Sequence, residues 1–195
     1  MSGSQGVATG QGIWEMKGDK TMRQLTFVEP GRLEWHDVPR PRIVAETDAL
    51  VRPVAVGRCD LDLYIATGTG TRGRVFPGPF AIGHVAVGVV TDAGRTAGVV
   101  PGDIVVVSFQ LSCGRCESCR RGFTNACGVY PPRAAYGLKP SSGTEFGGAL
   151  AELMYVPFAD HMLVKVPGGT EPVAIASTDH PGSSRTTWPP VCAAP

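Results

Sequence analysis

Long hydrophobic runs and an excess of charge of either sign are both missing from this sequence. No apolar stretch approaches the roughly 18 residues that a membrane-spanning helix needs, and residues 1–20 contain no hydrophobic core of a signal peptide. Eighteen Lys and Arg residues against 17 Asp and Glu residues leave a net charge of +1, which gives no electrostatic basis for binding nucleic acid or an anionic membrane. We therefore expect a cytoplasmic protein with no nucleic-acid and no membrane partner.

Motifs for nucleotide binding or for a serine nucleophile are also missing. The sequence has no P-loop and no G-x-S-x-G elbow. A G-x-G-x-x-G pattern occurs at residues 68–73, but a dinucleotide fingerprint must open a helix. Pro77 and Pro79 follow closely and are incompatible with a helix interior. We interpret the pattern as a loop and predict no cofactor-binding residues.

Glycine and proline, by contrast, are plentiful, with 26 Gly and 17 Pro spread through 195 residues. They bound short runs rich in Val, Leu and Ile, which is typical of the strands of a sandwich or barrel. The predicted strands are residues 23–28, 33–37, 49–56, 81–92, 103–109, 149–156 and 162–166. One short helix is predicted over residues 59–66. We predict a mainly β domain with few short helices over residues 22–176, after a disordered leader at 1–21 and before an irregular tail at 177–195.

Four of the six cysteines lie close together, in the spacing C-x2-C-x2-C-x7-C. They are Cys113, Cys116, Cys119 and Cys127. Four thiolates at such spacing can form the tetrahedral shell of a structural zinc, and we predict one here. Two disulfides would require an oxidising compartment, for which the sequence carries no export signal. A cubane iron–sulfur cluster uses a final gap of three residues followed by proline, whereas here the gap is seven and Gly128 follows.

Cys59 and His84 form a second candidate pair. Cys59 follows the predicted strand 49–56, and His84 opens the apolar run that continues to Val90. A thiolate and an imidazole at the ends of two strands could meet at one cation. A single histidine beside an apolar run is, however, more often a core residue, so these residues alone leave both interpretations open.

The order of these motifs resembles that of the zinc-dependent medium-chain alcohol dehydrogenases. The resemblance runs from about residue 22 to residue 179, and the four-cysteine lobe is its most specific part. The other motifs that carry it are Gly57-x-Cys59-x-x-Asp62, Gly83-His84, Pro101-Gly102-Asp103, Gly147-Gly148 with Glu152, and Pro157 with Asp160. The last segment is most similar to the branch of formaldehyde dehydrogenases and threonine-dehydrogenase-like proteins. The resemblance implies a GroES-like, partly open β-barrel that carries a four-cysteine structural-zinc lobe.

The resemblance also implies a catalytic zinc. Cys59 and His84 match two of its ligands, and Asp179 occupies the place of the third, although an Asp beside a Pro/Gly turn is equally well a capping residue. Three protein ligands leave one position for water or substrate. The implied reaction is hydride exchange between a zinc-polarised alcohol or aldehyde and NAD(P). Asp62 matches a carboxylate that positions a ligand rather than touching the zinc, and Glu152 matches a structural residue.

The sequence departs from the family pattern near the catalytic ligands. Leu61 stands where many members have a Ser or Thr that relays the alcohol proton, and Val85 replaces a Glu close to the zinc. Tyr64 stands at a position that is often His and could still relay a proton. These changes depart from the pattern of an ordinary alcohol dehydrogenase by removing a hydroxyl and a carboxylate.

The family's dinucleotide-binding domain would require on the order of a hundred further residues, which do not follow Asp179 in this sequence. We therefore expect an incomplete catalytic domain, an enzyme by family whose activity alone is open. Its expected partners are a small alcohol or aldehyde and a homo-oligomer or another protein that covers the exposed barrel face. The alternative is a non-catalytic, partner-binding module that uses only the four-cysteine site.

Overall fold

Eight strands and four short helices form the part of the chain that the computed structural model describes, which is residues 21–68, 77–132, 134–138 and 146–176. The strands are β1 Thr21–Glu29, β2 Arg32–Pro39, β3 Ala49–Gly57, β4 Phe80–Ala81, β5 Val85–Ala93, β6 Ile104–Val107, β7 Met154–Val156 and β8 Leu163–Lys165. The helices are α1 Asp60–Thr67, α2 Glu117–Arg120, α3 Ala159–Met162 and α4 Pro172–Ala176, with a 3-10 turn at Thr124–Ala126. Asp179, the predicted tail, residues 1–20 of the predicted leader and residues 69–76 lie outside the described ranges.

The strands pair in two antiparallel sheets, so the prediction of a mainly β domain with few short helices is confirmed. One sheet has three strands in the order β2-β1-β4, and the other has five in the order β7-β3-β5-β6-β8. The turn between β1 and β2 contains Gly31 at φ 80°, a conformation that glycine adopts without steric cost. No helix within the described ranges is long and apolar enough to span a membrane.

The predicted strand 81–92 is wrong in one respect, because the structure divides it between the two sheets. β4 pairs with β1, whereas β5 begins at Val85 and pairs with β3. Gly83 makes the transition at φ 87°, and a Cβ there would lie 2.9 Å from the backbone nitrogen of Leu150. Glycine is therefore required both by the backbone angle and by the close approach of Leu150. The break places His84 immediately before β5.

β6 and β7 are also shorter than the sequence predicts, at four and three residues. After β6 the chain turns into the cysteine-rich segment, and Leu111 donates its N–H to the carbonyl of Ala134 rather than to a neighbouring strand. Ahead of β7, Ala149 donates its N–H to Gly83 O at 2.7 Å. Long-range contacts, which hydrophobic alternation does not report, determine both boundaries.

The largest hydrophobic cluster lies between the five-stranded sheet and the segment that follows β6. Tyr136 and Met162 are buried in it. The hydroxyl of Tyr136 donates to Tyr155 O at 2.8 Å, and the hydroxyl of Tyr155 donates to Asp48 Oδ2 at 2.7 Å. Asp48 is buried and also accepts the N–H of Ala45 at 2.6 Å. A buried carboxylate with these donors ties β7 to the loop ahead of β3.

Candidate metal centres

The four cysteines of the C-x2-C-x2-C-x7-C spacing converge in the structure. α2 begins directly after Cys116 and contains Cys119, and the 3-10 turn ends directly before Cys127. Between these two turns the chain reverses at Gly122, which has φ 83°. The four sulfurs all lie within 4.8 Å of one another. The short helical turns therefore bring Cys116, Cys119 and Cys127 to the same point as Cys113.

The sulfur positions fit a tetrahedral zinc. Cys113 Sγ and Cys119 Sγ lie 4.0 Å apart, close to the edge of about 3.8 Å that four zinc–sulfur bonds of about 2.3 Å define. The same distance is about twice the length of a disulfide bond, and the cysteines of this cluster are free. The described cluster is therefore not disulfide-bonded.

Backbone N–H groups point at the sulfurs and would stabilise thiolates. Cys113 Sγ accepts from the N–H groups of Arg115 at 3.4 Å and Cys116 at 3.3 Å, and Cys116 Sγ accepts from Gly128 at 3.5 Å. The N–H groups of Gly128 and Cys119 lower the pKa of Cys116 to about 6. Burial raises the pKa of Cys119 to about 12. A cation is the group that would hold all four sulfurs ionised together.

Cys59 and His84 also meet, although 24 residues separate them in the chain. Cys59 is the residue that precedes α1, and its Sγ lies 3.1 Å from His84 Nε2. His84 is 2% exposed, and the ring of Phe109 packs edge-on against its imidazole at 5.9 Å between centroids. The sequence analysis missed Phe109, because no local pattern shows that the end of β6 lies beside the start of β5.

Asp62 lies behind this pair and contacts both members. Its Oδ2 accepts the N–H of Cys59 at 2.9 Å, and its Oδ1 lies 3.3 Å from His84 Nδ1. The second contact is close enough for attraction but is not aligned as a hydrogen bond, so Nδ1 is a buried nitrogen without an aligned acceptor. Burial alone would raise the pKa of Asp62, but His84 and the N–H of Cys59 outweigh burial and hold that pKa below its usual value.

This second cluster also fits a cation. Cys59, Asp62 and His84 each offer one ligand atom, and the three atoms lie within 4.8 Å of one another. Two ligands of a tetrahedral zinc are expected about 3.5 Å apart, so a small side-chain rotation would open the Cys59–His84 pair for a metal. Asp179, the third ligand that the resemblance implies, lies outside the described residues.

The other residues that the sequence analysis named near this cluster differ in their surroundings. Leu61 packs against the cluster of Phe27, Ile65, Phe80 and Ile82. Val85 is 3% exposed, and Tyr64 is 41% exposed. Glu152 Oε2 accepts the N–H of Arg23 at 3.0 Å, which ties the segment before β7 to β1 and agrees with a structural role.

A cleft of about 340 Å³ opens beside Asp62. Aliphatic side chains line most of it, among them Leu25, Leu33, Leu63 and Leu150. Arg58 and Asp62 are the charged residues that line it. The cleft places an apolar chamber on the Asp62 side of the second cluster.

Comparison with known proteins assigns the family. Residues 45–168 match the family described as "Alcohol dehydrogenase GroES-like domain". The chain is 31% identical over 155 residues to the glutathione-independent formaldehyde dehydrogenase of Pseudomonas aeruginosa, covering 74% of this chain and 37% of that protein. It is 34% identical over 148 residues to the L-threonine 3-dehydrogenase of Streptomyces avermitilis, and this match covers 75% of this chain and 40% of that protein.

The fold agrees with that assignment. The structure of the alcohol dehydrogenase TADH from Thermus sp. ATN1 superposes with a TM-score of 0.67 at 35% identity, covering 77% of this chain and 42% of that one. The chain thus spans less than half the length of these relatives. The resemblance drawn from the motifs, including the GroES-like fold, is confirmed: the chain belongs to the zinc-type medium-chain alcohol dehydrogenase family.

Proposed function

We propose that this chain is the zinc-binding catalytic domain of an alcohol dehydrogenase-type oxidoreductase, which exchanges hydride between an alcohol or aldehyde and NAD(P). One observation carries the proposal: Cys59 Sγ and His84 Nε2 lie 3.1 Å apart at the ends of two elements, with the carboxylate of Asp62 behind them. Family membership supplies the reaction class.

Each residue of the second cluster has a distinct role in this proposal. Cys59 and His84 hold a catalytic zinc, and Asp179 is the third ligand. When bound, zinc acts as a Lewis acid toward the oxygen of the substrate. Asp62 attracts the Nδ1 side of the His84 ring at 3.3 Å and holds the start of α1 by accepting the N–H of Cys59, so that Nε2 and the sulfur face one point. Phe109 packs against the imidazole and helps to keep water from it.

The four-cysteine cluster is proposed as a structural zinc site. A site with four protein ligands is closed to substrate, so its contribution is to folding. It holds residues 113–127 in their observed path without taking part in the reaction. Thiolate ligands of this kind persist in a reducing compartment, which supports a cytoplasmic location.

The coverage of the relatives bears on how the chain works. It aligns with 37% to 42% of the lengths of the relatives named above. We propose that residues 22–176, together with Asp179, supply the zinc-binding half of the site and that hydride exchange requires a dinucleotide-binding part in addition. A small alcohol or aldehyde is the proposed substrate. A second copy of the chain or another protein is proposed to cover the face of the domain on which the apolar cleft beside Asp62 opens.

Leu61 and Val85 favour a second candidate, a non-catalytic module that binds metal only through the four cysteines. Both side chains are aliphatic, so neither can move a proton; Val85 is buried and Leu61 is partly buried against an apolar cluster. In this case the Cys59–His84 pair would be a buried polar contact without a metal.

Native mass spectrometry of the purified chain distinguishes the two functions. The catalytic domain should carry two zinc ions, one lost in Cys59→Ser and the other in Cys116→Ser. Asp60→Asn, which changes an exposed residue next to Cys59, is the control and should keep both. A single zinc that Cys59→Ser retains and Cys116→Ser loses would refute the catalytic proposal and support the module. Hydride exchange with primary alcohols is then followed by NAD(P)H absorbance after a dinucleotide-binding part has been supplied.

A further inference from the structure

We define the cysteine lobe as residues 112–129. The helix α3, which lies outside the lobe, contacts the segment that carries its first cysteine, Cys113. Ser112 Oγ and His161 Nε2 of α3 share a hydrogen bond at 2.9 Å. The N–H of Ser112 also donates to Met162 Sδ at 3.4 Å. Ser112 is 3% exposed, so water cannot easily replace these partners. The residue directly before Cys113 is therefore held by α3.

Arg115, on the other side of Cys113, contacts the same helix. Its Nη2 donates to both carboxylate oxygens of Asp160, at 3.3 and 3.1 Å. Its guanidinium lies 5.3 Å from the ring centre of Phe158, the residue that precedes α3 and has φ 46°. The backbone N–H of Arg115 donates to Cys113 Sγ. One residue thus links the first sulfur of the lobe to α3.

Gly114, between Cys113 and Arg115, allows α3 to come this close. It has φ 68°, and a Cβ there would lie 2.5 Å from Cγ of His161. The imidazole therefore lies against a backbone position that only glycine can occupy. Residues 112, 114 and 115 thus all contact the segment 158–162, which contains α3.

The other three cysteines are held differently. Cys116 and Cys119 belong to the start and the body of α2, and the N–H donors to Cys116 and Cys127 are Gly128 and Val129. Among the described residues, the polar side-chain contacts that leave the lobe come from Ser112 and Arg115. The polar side-chain contacts between the body of the domain and the lobe therefore meet at the segment of Cys113.

We propose that His161, together with Ser112 and Arg115, forms a clamp that positions Cys113 and so sets how fast the lobe releases its metal. The proposal rests on the structural zinc proposed above. A ligand segment that is already ordered costs less to bring to the metal. Removing a residue that orients a metal ligand typically lowers metal affinity by about tenfold to a hundredfold. His161 is a positioning residue in this scheme, since it touches the ligand segment and not the metal.

The test measures zinc release from the full chain into an excess of a chromogenic chelator. The Cys59→Ser background removes the proposed second site, so that the absorbance follows the lobe alone. We expect His161→Ala to release zinc about ten times faster or more, by the scale above. Arg115→Gln is compared with the matched control Arg121→Gln, because the side chain of Arg121 contacts Glu117 and Phe123, which both belong to the lobe. Arg115→Gln should accelerate release and Arg121→Gln should not.

A double-mutant cycle separates the clamp from general destabilisation. Ser112→Ala and His161→Ala remove the same hydrogen bond, so the double variant should accelerate release by less than the product of the single effects. Independent destabilisation would instead multiply the effects. His161→Gln, which retains a nitrogen near Ser112, should recover part of the wild-type rate.

Two outcomes would overturn the clamp, and they are distinguishable. If the wild-type chain carries no zinc that Cys116→Ser removes, both the structural zinc and the clamp are wrong. If the lobe zinc is present but His161→Ala releases it within twofold of the wild-type rate, only the clamp is wrong. Equal acceleration by Arg115→Gln and Arg121→Gln would also refute it, because the effect would then come from lobe charge alone.

Discussion

Asp62→Asn provides the sharpest test of the second metal centre. In the structure one carboxylate oxygen of Asp62 accepts the N–H of Cys59 at 2.9 Å, and the other lies 3.3 Å from His84 Nδ1. An asparagine has only one oxygen, so it can serve Cys59 or His84 but not both. Whichever contact is kept, the other faces an NH₂ group that cannot accept a proton.

The expected loss follows from this geometry. Partners that orient a metal ligand are worth about tenfold to a hundredfold in metal affinity, which corresponds to about 1.4 to 2.7 kcal/mol. We therefore expect Asp62→Asn to weaken metal binding at Cys59 and His84 by that factor. The global fold should persist, because Cys59, His84 and the packing of Ile65 in α1 are unchanged.

The assay is a Co²⁺ titration followed by the thiolate charge-transfer absorbance, in a Cys116→Ser background that removes the lobe site. Asp60→Asn is the matched control, because Asp60 is an exposed acid in the same first turn of α1 and makes the same change in charge near the helix start. If the two variants bind Co²⁺ equally, the carboxylate acts only through its charge and the positioning argument is refuted. An Asp62→Asn variant with wild-type affinity would refute it as well.

Four further predictions concern stability and folding. Tyr155→Phe removes a buried hydrogen bond to Asp48 at 2.7 Å and should lower the free energy of unfolding by about 1.5–3 kcal/mol. Tyr136→Phe should lower it by less, because the hydroxyl of Tyr136 donates to a backbone carbonyl and not to a carboxylate. The reverse order in urea unfolding would contradict this prediction. Gly83→Ala and Gly102→Ala both place a side chain at positive φ, at a cost of about 1–2 kcal/mol. Of these two glycines, Gly83 alone has a neighbour within 4 Å of the added Cβ, so Gly83→Ala should lower the melting temperature more. An equal decrease in melting temperature would show that the Leu150 contact does not matter. Lys165 and the N–H of Val100 lower the pKa of Asp103, so the contribution of Asp103 to stability is present above its unfolded pKa of about 3.9 and is lost as the pH falls through the folded value. Asp103→Asn should therefore reduce the loss of stability at acid pH. An unchanged loss would exclude the Asp103–Lys165 pair as its source. Removal of zinc by a chelator should increase hydrogen exchange in residues 113–129 before it does so in the five-stranded sheet, and uniform exchange would argue against a separate lobe.

Part of the fold could be predicted from the sequence because its signals are local. Short β-branched runs between glycines and prolines indicated the strands, and each of the eight observed strands overlaps one of the seven predicted ranges. The helix at 59–66 was predicted within one residue of α1, Asp60–Thr67. The cysteine lobe could also be predicted from the sequence, because the short gaps of C-x2-C-x2-C-x7-C keep the four sulfurs close together along the chain.

The sequence by itself determined the mainly β class, the cysteine lobe and, through its motifs, the family. Only the tertiary structure decided how the distant parts meet. The strand break at Gly83, where a Cβ would lie 2.9 Å from the backbone nitrogen of Leu150, sets the place of His84. Phe109 beside His84 and His161 against Gly114 likewise depend on packing between segments far apart in the chain. Such contacts leave no periodic signal, because a local pattern records which face of an element is buried and not which residue of another element covers it.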